Sequence, residues 1–440
     1  MNKTTNQLRN KGVLDKAQSI GLSLMTKLAS SDALDQLKLR KFLERSFYHG
    51  SRTSFSTLSK TQKFLKPHSK QPQQRLQSQS KNLFDLSLTA EQSMLREAVQ
   101  RFASNAIYPS AMQADHQSIF PKDLLEQADE LALNFYALPE QYGGVATEQS
   151  AVSNVLIAED LARGDFSLAA GLLSTFSVIN AITRWGNPDI QSQYLADFAE
   201  QTDIRATIAS QENTPAFNPF ELTTQAEALD QDFQISGEKT MVVMGEYADI
   251  LLVNAMYQGK PELFIVERDD SISMRPSPAM GLRAAETVTL RFHQTPARRL
   301  SAEDFDYQAF LDFGHLMWCA MAVGTCEAVK AYCIQYANER TAFGEPISHR
   351  QSVAFMIADM AIEIDAMRML VWNAASLAEA GKDFHRETYL ARLLCAEKSM
   401  KIGTDGVQIL GGHGFTKEHP VERWYRDLRA TAIMQSGLHA

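Results

Sequence analysis

The sequence predicts a helical domain, then a small antiparallel β domain, then a second helical domain built as a four-helix bundle. Two features carry this reading. Apolar residues recur at helical spacing across residues 83–200 and again across 301–440. Between them, across 201–300, short β-type runs alternate with turn residues. With 440 residues, 45% of them apolar, the chain can bury a large core spread over two or three domains.

Charge separates a leader from this body. Residues 1–82 hold sixteen Lys/Arg against four Asp/Glu, a net of +12, which leaves −21 on the remainder of a chain whose total is −9. Within the leader, residues 12–47 mix apolar and basic positions at roughly helical spacing. Residues 49–82 have the Ser/Gln-rich composition of a linker. Three readings stay open for 1–82: a basic arm making peripheral contact with an anionic membrane or partner, an organelle transit peptide (only Asp15 is acidic before Asp32), or a solvated helical extension on a tether. The acidic body argues against nucleic acid as a partner. No uncharged apolar run approaches the ~20 residues that cross a bilayer.

The body opens near Leu83. Thr89 with Gln92 three positions on forms a capping box, and apolar spacing continues through Leu95, Val99, Phe102 and Ile107. Leu138-Pro-Glu-Gln-Tyr-Gly-Gly144 reads as a loop, and helices resume over about 150–163 and 167–185. Strands are expected at 206–209, 222–226, 233–236, 250–253, 263–266 and 287–292. Long helices follow at 309–340, 352–380 and 385–410. Cys319, Cys326 and Cys333 recur every seven residues on one of these helices, and Cys395 lies on another. That spacing means buried thiols rather than disulfides or a metal site. It fits a reducing compartment, expected to be a bacterial cytoplasm with the mitochondrial matrix second.

Chemistry concentrates near the C-terminus. Asp405-Gly-Val-Gln408-Ile-Leu-Gly411-Gly412-His413-Gly414-Phe415 ends a helix in a glycine-rich turn. Glycines there let backbone approach a flat ligand, and Gln408 stands one helical turn earlier. On its own the pattern is a helix C-cap.

Six segments in order resemble the acyl-CoA dehydrogenase family: this turn; Tyr336-Ala-Asn-Glu-Arg340-Thr-Ala-Phe343-Gly344 with Gln351 and Phe355-Met-Ile-Ala-Asp359; the 138–144 loop; Gly237-Glu-Lys-Thr240; Ala248-Asp249; and Met280-Gly-Leu-Arg283. The resemblance covers about 83–440. It implies an acyl-CoA dehydrogenase-like fold and non-covalent FAD held between the β domain and the C-terminal bundle. It also implies a homodimer or dimer of dimers, a saturated acyl-CoA thioester as substrate, and an electron-accepting flavoprotein. Arg340, Phe343, Gln351, Gln408, Gly412 and Gly437 match cofactor-binding positions. An arginine suits pyrophosphate through its forked donors, although at a helix end it also complements the dipole. Arg426 and Asp427 match too, with an intrahelical or buried pair as their expected role.

The sequence departs from the family in three places. The Thr-Glu-Pro-x-x-Gly-Ser-Asp loop beside the flavin is replaced by residues 210–220, Ser210 to Phe220. Trp-Ile-Thr becomes Met241-Val-Val243, without the aromatic wall and hydroxyl. Asn218-Pro219-Phe220 and the Gly281-Leu-Arg-Ala-Ala285 wording resemble a bacterial subgroup. Most consequentially, the catalytic glutamate position holds Gln435, and the alternative position for that base holds Gly314, beside His315. An amide cannot accept the α-proton that a carboxylate takes. Gln435 is either native chemistry or a substitution that traps substrate. A Glu placed there is expected to have its pKa raised by burial. The resemblance therefore implies a FAD-dependent acyl-CoA α,β-dehydrogenase that Gln435 impairs. The alternatives are a flavin monooxygenase on the same fold, using His315, His413 or His439, and a non-catalytic FAD- or acyl-CoA-binding homologue.

Overall fold

A computed structural model describes residues 87–146, 149–214, 216–229, 232–300 and 305–440. The basic arm, its linker and the boundary at residue 83 lie outside the described residues. Helices α1 (Ala90–Phe102), α2 (Tyr108–Gln117), α3 (Lys122–Glu130), α4 (Ala151–Ala162) and α5 (Phe166–Trp185) come first. The Thr89 hydroxyl accepts from the Gln92 amide N–H while the Gln92 side chain accepts from Thr89 N–H, each at 3.1 Å, so the expected capping box starts α1. Ser150 and Asp165 cap α4 and α5 in the same sense.

Strands β1 (Ala206–Ala209), β2 (Gln225–Leu229), β3 (Asp232–Val242), β4 (Ile250–Tyr257), β5 (Lys260–Glu267), β6 (Ile272–Pro276) and β7 (Val288–Arg299) form one sheet. It curls round so that β5 pairs with both β4 and β7. The pairing is mainly antiparallel, but β1 runs parallel to β4, with Ala206 opposite Ile250. Burial explains the unbroken apolar run at the start of β4. Leu251 and Val253 face the interior of the sheet with Phe264 and Leu290, while Ile250 and Leu252 face the helices. A strand covered on both faces loses polar alternation.

Long helices α6 (Tyr307–Glu339), α7 (Gln351–Glu379) and α8 (His385–Leu410) pack together, followed by the short α9 (Val421–Asp427) and α10 (Ala430–Ile433). Gly324 sets the crossing of α6 over α4, where a Cβ would stand 1.9 Å from the Glu159 carbonyl oxygen. All four cysteines are free and buried. By length and composition α5 and α6 could each cross a bilayer, contrary to the expectation from single runs, yet 94% of each apolar stretch is buried inside the fold. They are core helices of this body.

Polar contacts from three of its residues fix α9 to the rest. Arg423 meets Asp165 at 2.8 Å, Arg426 makes a bidentate pair with Asp115 at 2.8–2.9 Å, and Asp427 accepts from the Leu282 amide at 2.8 Å. Arg426 also pairs within its helix with Glu422 at 2.8 Å, as expected. Asp427 instead serves the β domain and the Ser167 hydroxyl at 3.0 Å.

Candidate functional site

The residues singled out in the sequence gather in two places. The first is an outer cleft where α6 ends. Arg340 caps that helix in extended conformation, and a tight hairpin follows with Phe343 and Gly344 at positive φ of 57° and 87°. Phe343 is 95% exposed, with the Arg350 guanidinium 5.6 Å from its ring centre. Gln351 begins α7 and is exposed. The glycine turn arrives from the other side. Gly411 ends α8 with φ 59°, and Gln408 is exposed one turn earlier.

Two tyrosine–histidine bonds tie these parts together. The Tyr336 hydroxyl meets His413 Nδ1 at 2.8 Å and the Tyr332 hydroxyl meets His419 Nδ1 at 2.7 Å. The two imidazoles stack at 5.3 Å. They wall a cleft of about 320 Å³ that Arg340 also lines. The structure thus brings Arg340 and the Gly412 turn to one cleft, with Phe343 on the hairpin that follows Arg340 and Gln351 at the start of α7.

FAD, expected from the resemblance, fits this chemistry. A Cβ at Gly411 or Gly412 would meet no atom within 4 Å, so the backbone there is open to a ligand. Arg340 has no ion-pair partner among the described residues, which leaves its donors for phosphate oxygens. Phe343 and Phe415 stand 95% and 87% exposed, large apolar surfaces that call for cover.

The second place is interior, where α6, α8, the end of β1 and residues 434–440 meet. Gln435 is half-buried there. Arg392 Nη1 donates to its Oε1 at 2.7 Å and Arg392 Nη2 to the Met434 carbonyl at 3.4 Å. The Gln435 amide N–H donates to Gln211 Oε1 at 3.4 Å. Arg392 Nη1 also contacts His315 Nε2. On its other side His315 Nδ1 lies 3.9 Å from Asp312 Oδ1. Asp312 in turn meets His385 Nδ1 at 2.9 Å and Gln308 Nε2 at 3.2 Å. Burial lowers the His315 pKa, Asp312 pulls it back up, and Arg392 pushes it down again. Burial likewise lowers Arg392.

Gly437 sits in the same interior place at φ 103°. A Cβ there would come to 3.7 Å from Met434 Cε and 3.9 Å from the Ile208 carbonyl oxygen. Gly314 is closed to any side chain, because a Cβ would lie 2.9 Å from the Leu438 carbonyl oxygen. His439 is buried against Phe310 and Phe313, with its Nε2 accepting from Trp185 Nε1 at 3.0 Å.

The altered 210–220 loop reaches this junction through Gln211, whose Oε1 accepts from the Gln435 backbone N–H. Glu212 and Lys239 form a fully buried pair at 2.8 Å, and Glu212 also accepts from the Thr223 amide and hydroxyl and the Thr224 amide. Asn254 bridges Ser210 and Tyr307, whose hydroxyl donates to the Pro219 carbonyl at 2.9 Å. Met241 takes a positive φ of 53°, a turn of the strand that a side chain seldom adopts.

Sequence reasoning missed Arg392, Asp312 and His385. Asp312 and His315 do share one helix face at i, i+3 spacing, which was the available signal. Arg392 and His385 carry none, since they meet α6 only through the packing of α8.

Comparison with known proteins follows the same outline. Residues 89–202 match the acyl-CoA dehydrogenase N-terminal domain and residues 306–437 the acyl-CoA dehydrogenase C-terminal domain. The chain is 30% identical to cyclohex-1-ene-1-carbonyl-CoA dehydrogenase of Geobacter metallireducens, over 79% of this chain and 94% of that protein. It is also 30% identical to an acyl-CoA dehydrogenase of Bacillus subtilis, over 80% and 95%. Butyryl-CoA dehydrogenase from Megasphaera elsdenii has a similar structure, with TM-score 0.74 and 28% identity over 80% of this chain and 96% of that one.

Proposed function

Since the chain belongs to the acyl-CoA dehydrogenase family and is a flavoprotein oxidoreductase of that type, we propose that it binds a saturated acyl-CoA thioester at the Gln435 junction and dehydrogenates it slowly. FAD is its cofactor, and when bound it supplies a two-electron acceptor for the hydrogen leaving the β-carbon. The chain's own residues divide the remaining work. Arg340 and the open Gly411–Gly412 backbone would hold phosphate oxygens, with Gln408 and Gln351 offering amides at the edges. The buried surround of residue 435 excludes water from the reacting carbons.

One observation carries the reading of slow chemistry. The side chain at 435 is an amide whose oxygen already accepts from Arg392 at 2.7 Å, so it has no basic lone pair for the α-proton. General-base catalysis contributes roughly 10²–10⁴-fold, which is the shortfall expected here.

The exposed rings of Phe343 and Phe415, together with Phe355 at 58% and Ile362 at 66% exposure on α7, lie on the outer side of the bundle. We read them as the contact between two copies of this chain, forming a homodimer or a dimer of dimers. Symmetric closure suits a self-complementary patch of this kind.

The test is a flavin spectrum of the purified protein, titrated anaerobically with acyl-CoAs of four to sixteen carbons. Spectral perturbation followed by slow bleaching is expected. A yellow protein whose spectrum ignores every thioester would refute the substrate assignment.

A further inference from the structure

Neither Gln435 nor Gly314 can take a proton, yet the titratable His315 shares the Arg392 guanidinium with Gln435. We propose that His315 is the group that accepts the substrate's α-proton, with Asp312 orienting it and His385 passing the proton to solvent. This rests on the acyl-CoA dehydrogenation proposed above and deepens it by naming the base.

The geometry sets the tautomer. Arg392 Nη1 contacts His315 Nε2 and can only donate, which favours the tautomer with its ring proton on Nδ1, 3.9 Å from Asp312 Oδ1. In that tautomer the imidazole is neutral and its Nε2 lone pair meets Arg392 beside Gln435, so Arg392 must withdraw before Nε2 can take a proton. Arg392 has three acceptors there: His315 Nε2, Gln435 Oε1 and the Met434 carbonyl. It can release the first and keep the other two. Behind His315, the Asp312 side chain is only 3% exposed, and it contacts His385, whose side chain is 53% exposed. Asp312 and His385 thus lead from His315, whose own side chain is 11% exposed, to a group open to water.

The charged and titratable groups around His315 are few. Asp312 faces it from α6 and Arg392 from α8, while His385 of α8 reaches Asp312 rather than the ring. The 434–435 segment adds only a neutral amide and a carbonyl.

In the reaction step the Cα–H bond breaks and its proton goes to His315 Nε2. The electron pair left behind would form the second bond between Cα and Cβ, with bound FAD supplying the two-electron acceptor for the β-hydrogen and its pair. The imidazolium is stabilised by Asp312, and its other proton reaches His385 through Asp312 once a ring rotation closes the 3.9 Å gap between Nδ1 and Oδ1. Arg392 makes that imidazolium costly. His315 is accordingly a weaker base than a well-placed carboxylate, in keeping with slow turnover.

The experiment is α-hydrogen exchange. The FAD-loaded protein is incubated anaerobically in D₂O with butyryl-CoA or octanoyl-CoA, and deuterium at Cα of the recovered thioester is read by mass spectrometry. Exchange is expected in the native chain and about 10²-fold slower in His315→Gln, with thioester binding retained by calorimetry. Added imidazole should restore exchange in His315→Ala. Asp312→Asn removes the charge that favours the imidazolium, so it should move the pH midpoint of exchange downward. Unchanged exchange in His315→Gln with thioester bound overturns the assignment and leaves the proposed function standing. Native protein that binds no thioester overturns both. Should the His315 variants lose FAD, Asp312→Asn decides, and a midpoint that stays in place refutes the role of His315.

Discussion

Arg392 Nη1 stands 2.7 Å from Gln435 Oε1, so the guanidinium of α8 already occupies the hydrogen-bonding position that a carboxylate at residue 435 would use. The sequence alone suggested that burial would raise the pKa of a Glu placed there. Arg392 opposes that rise, because an adjacent cation favours the charged form.

This gives a first prediction. In a Gln435→Glu background, replacing Arg392 with Met should raise the pH midpoint of flavin bleaching by roughly 1–3 units. The check is the pH dependence of anaerobic bleaching in the two variants. Coincident profiles would mean that Arg392 does not reach the carboxylate.

Arg340→Ala should weaken FAD retention. A hydrogen bond to a charged group contributes ~1.5–3 kcal/mol, so at least about tenfold in affinity should be lost. Equilibrium dialysis of FAD against the apoprotein measures it. Equal affinity would leave Arg340 with only its helix-capping role.

Phe343→Ser combined with Phe415→Ser should dissociate the assembly and release FAD together with it. These rings are 95% and 87% exposed in the single chain, so their loss costs its own core nothing. Light scattering and flavin absorbance across a sizing column report both quantities. A native protein that is monomeric would contradict the proposed contact between two copies.

Lys239 and Glu212 offer a stability test away from the chemistry. Burial lowers Lys239 to about 8 despite the pull of Glu212. Burial works to raise Glu212, but Lys239 and the Thr223 donors outweigh it and hold the carboxyl at about 2. Because the folded pKa is depressed, this stabilisation is complete above the unfolded value of ~4.3 and is lost as pH falls from there toward the folded value. Glu212→Gln should flatten the acid limb of melting temperature against pH in that window. Lys239→Met should cost ~3–5 kcal/mol in urea unfolding, since it leaves a buried carboxylate without its cation. A cost below ~1 kcal/mol would show that the threonine donors suffice.

Local signals were legible in the sequence. The capping box at Thr89 and Gln92, the C-cap glycine at 411 and the buried run of β4 all depend on neighbours a few residues away. Strand β6 escaped notice because its residues, Ile272 to Pro276, are mostly exposed and show no apolar alternation. The parallel register of β1 on β4 could not be read, because it depends on how α5 and the loop after β3 fold back. At the site, the family resemblance pointed to Arg340, Gln408 and Gly412. The surroundings of Gln435 depend on His315 and Arg392, which are 77 positions apart in the chain. Their contact exists only once α6 and α8 pack.

A single comparison decides whether residue 435 governs the chemistry. Native protein and Gln435→Glu, each loaded with FAD, are mixed anaerobically with the same saturated acyl-CoA, and the flavin absorbance is followed in a stopped-flow instrument. The Glu variant should bleach at least about 10²-fold faster than the native chain, at matched thioester occupancy. A Glu variant that binds FAD and acyl-CoA yet stays oxidised at every chain length would contradict the dehydrogenase mechanism proposed for this site.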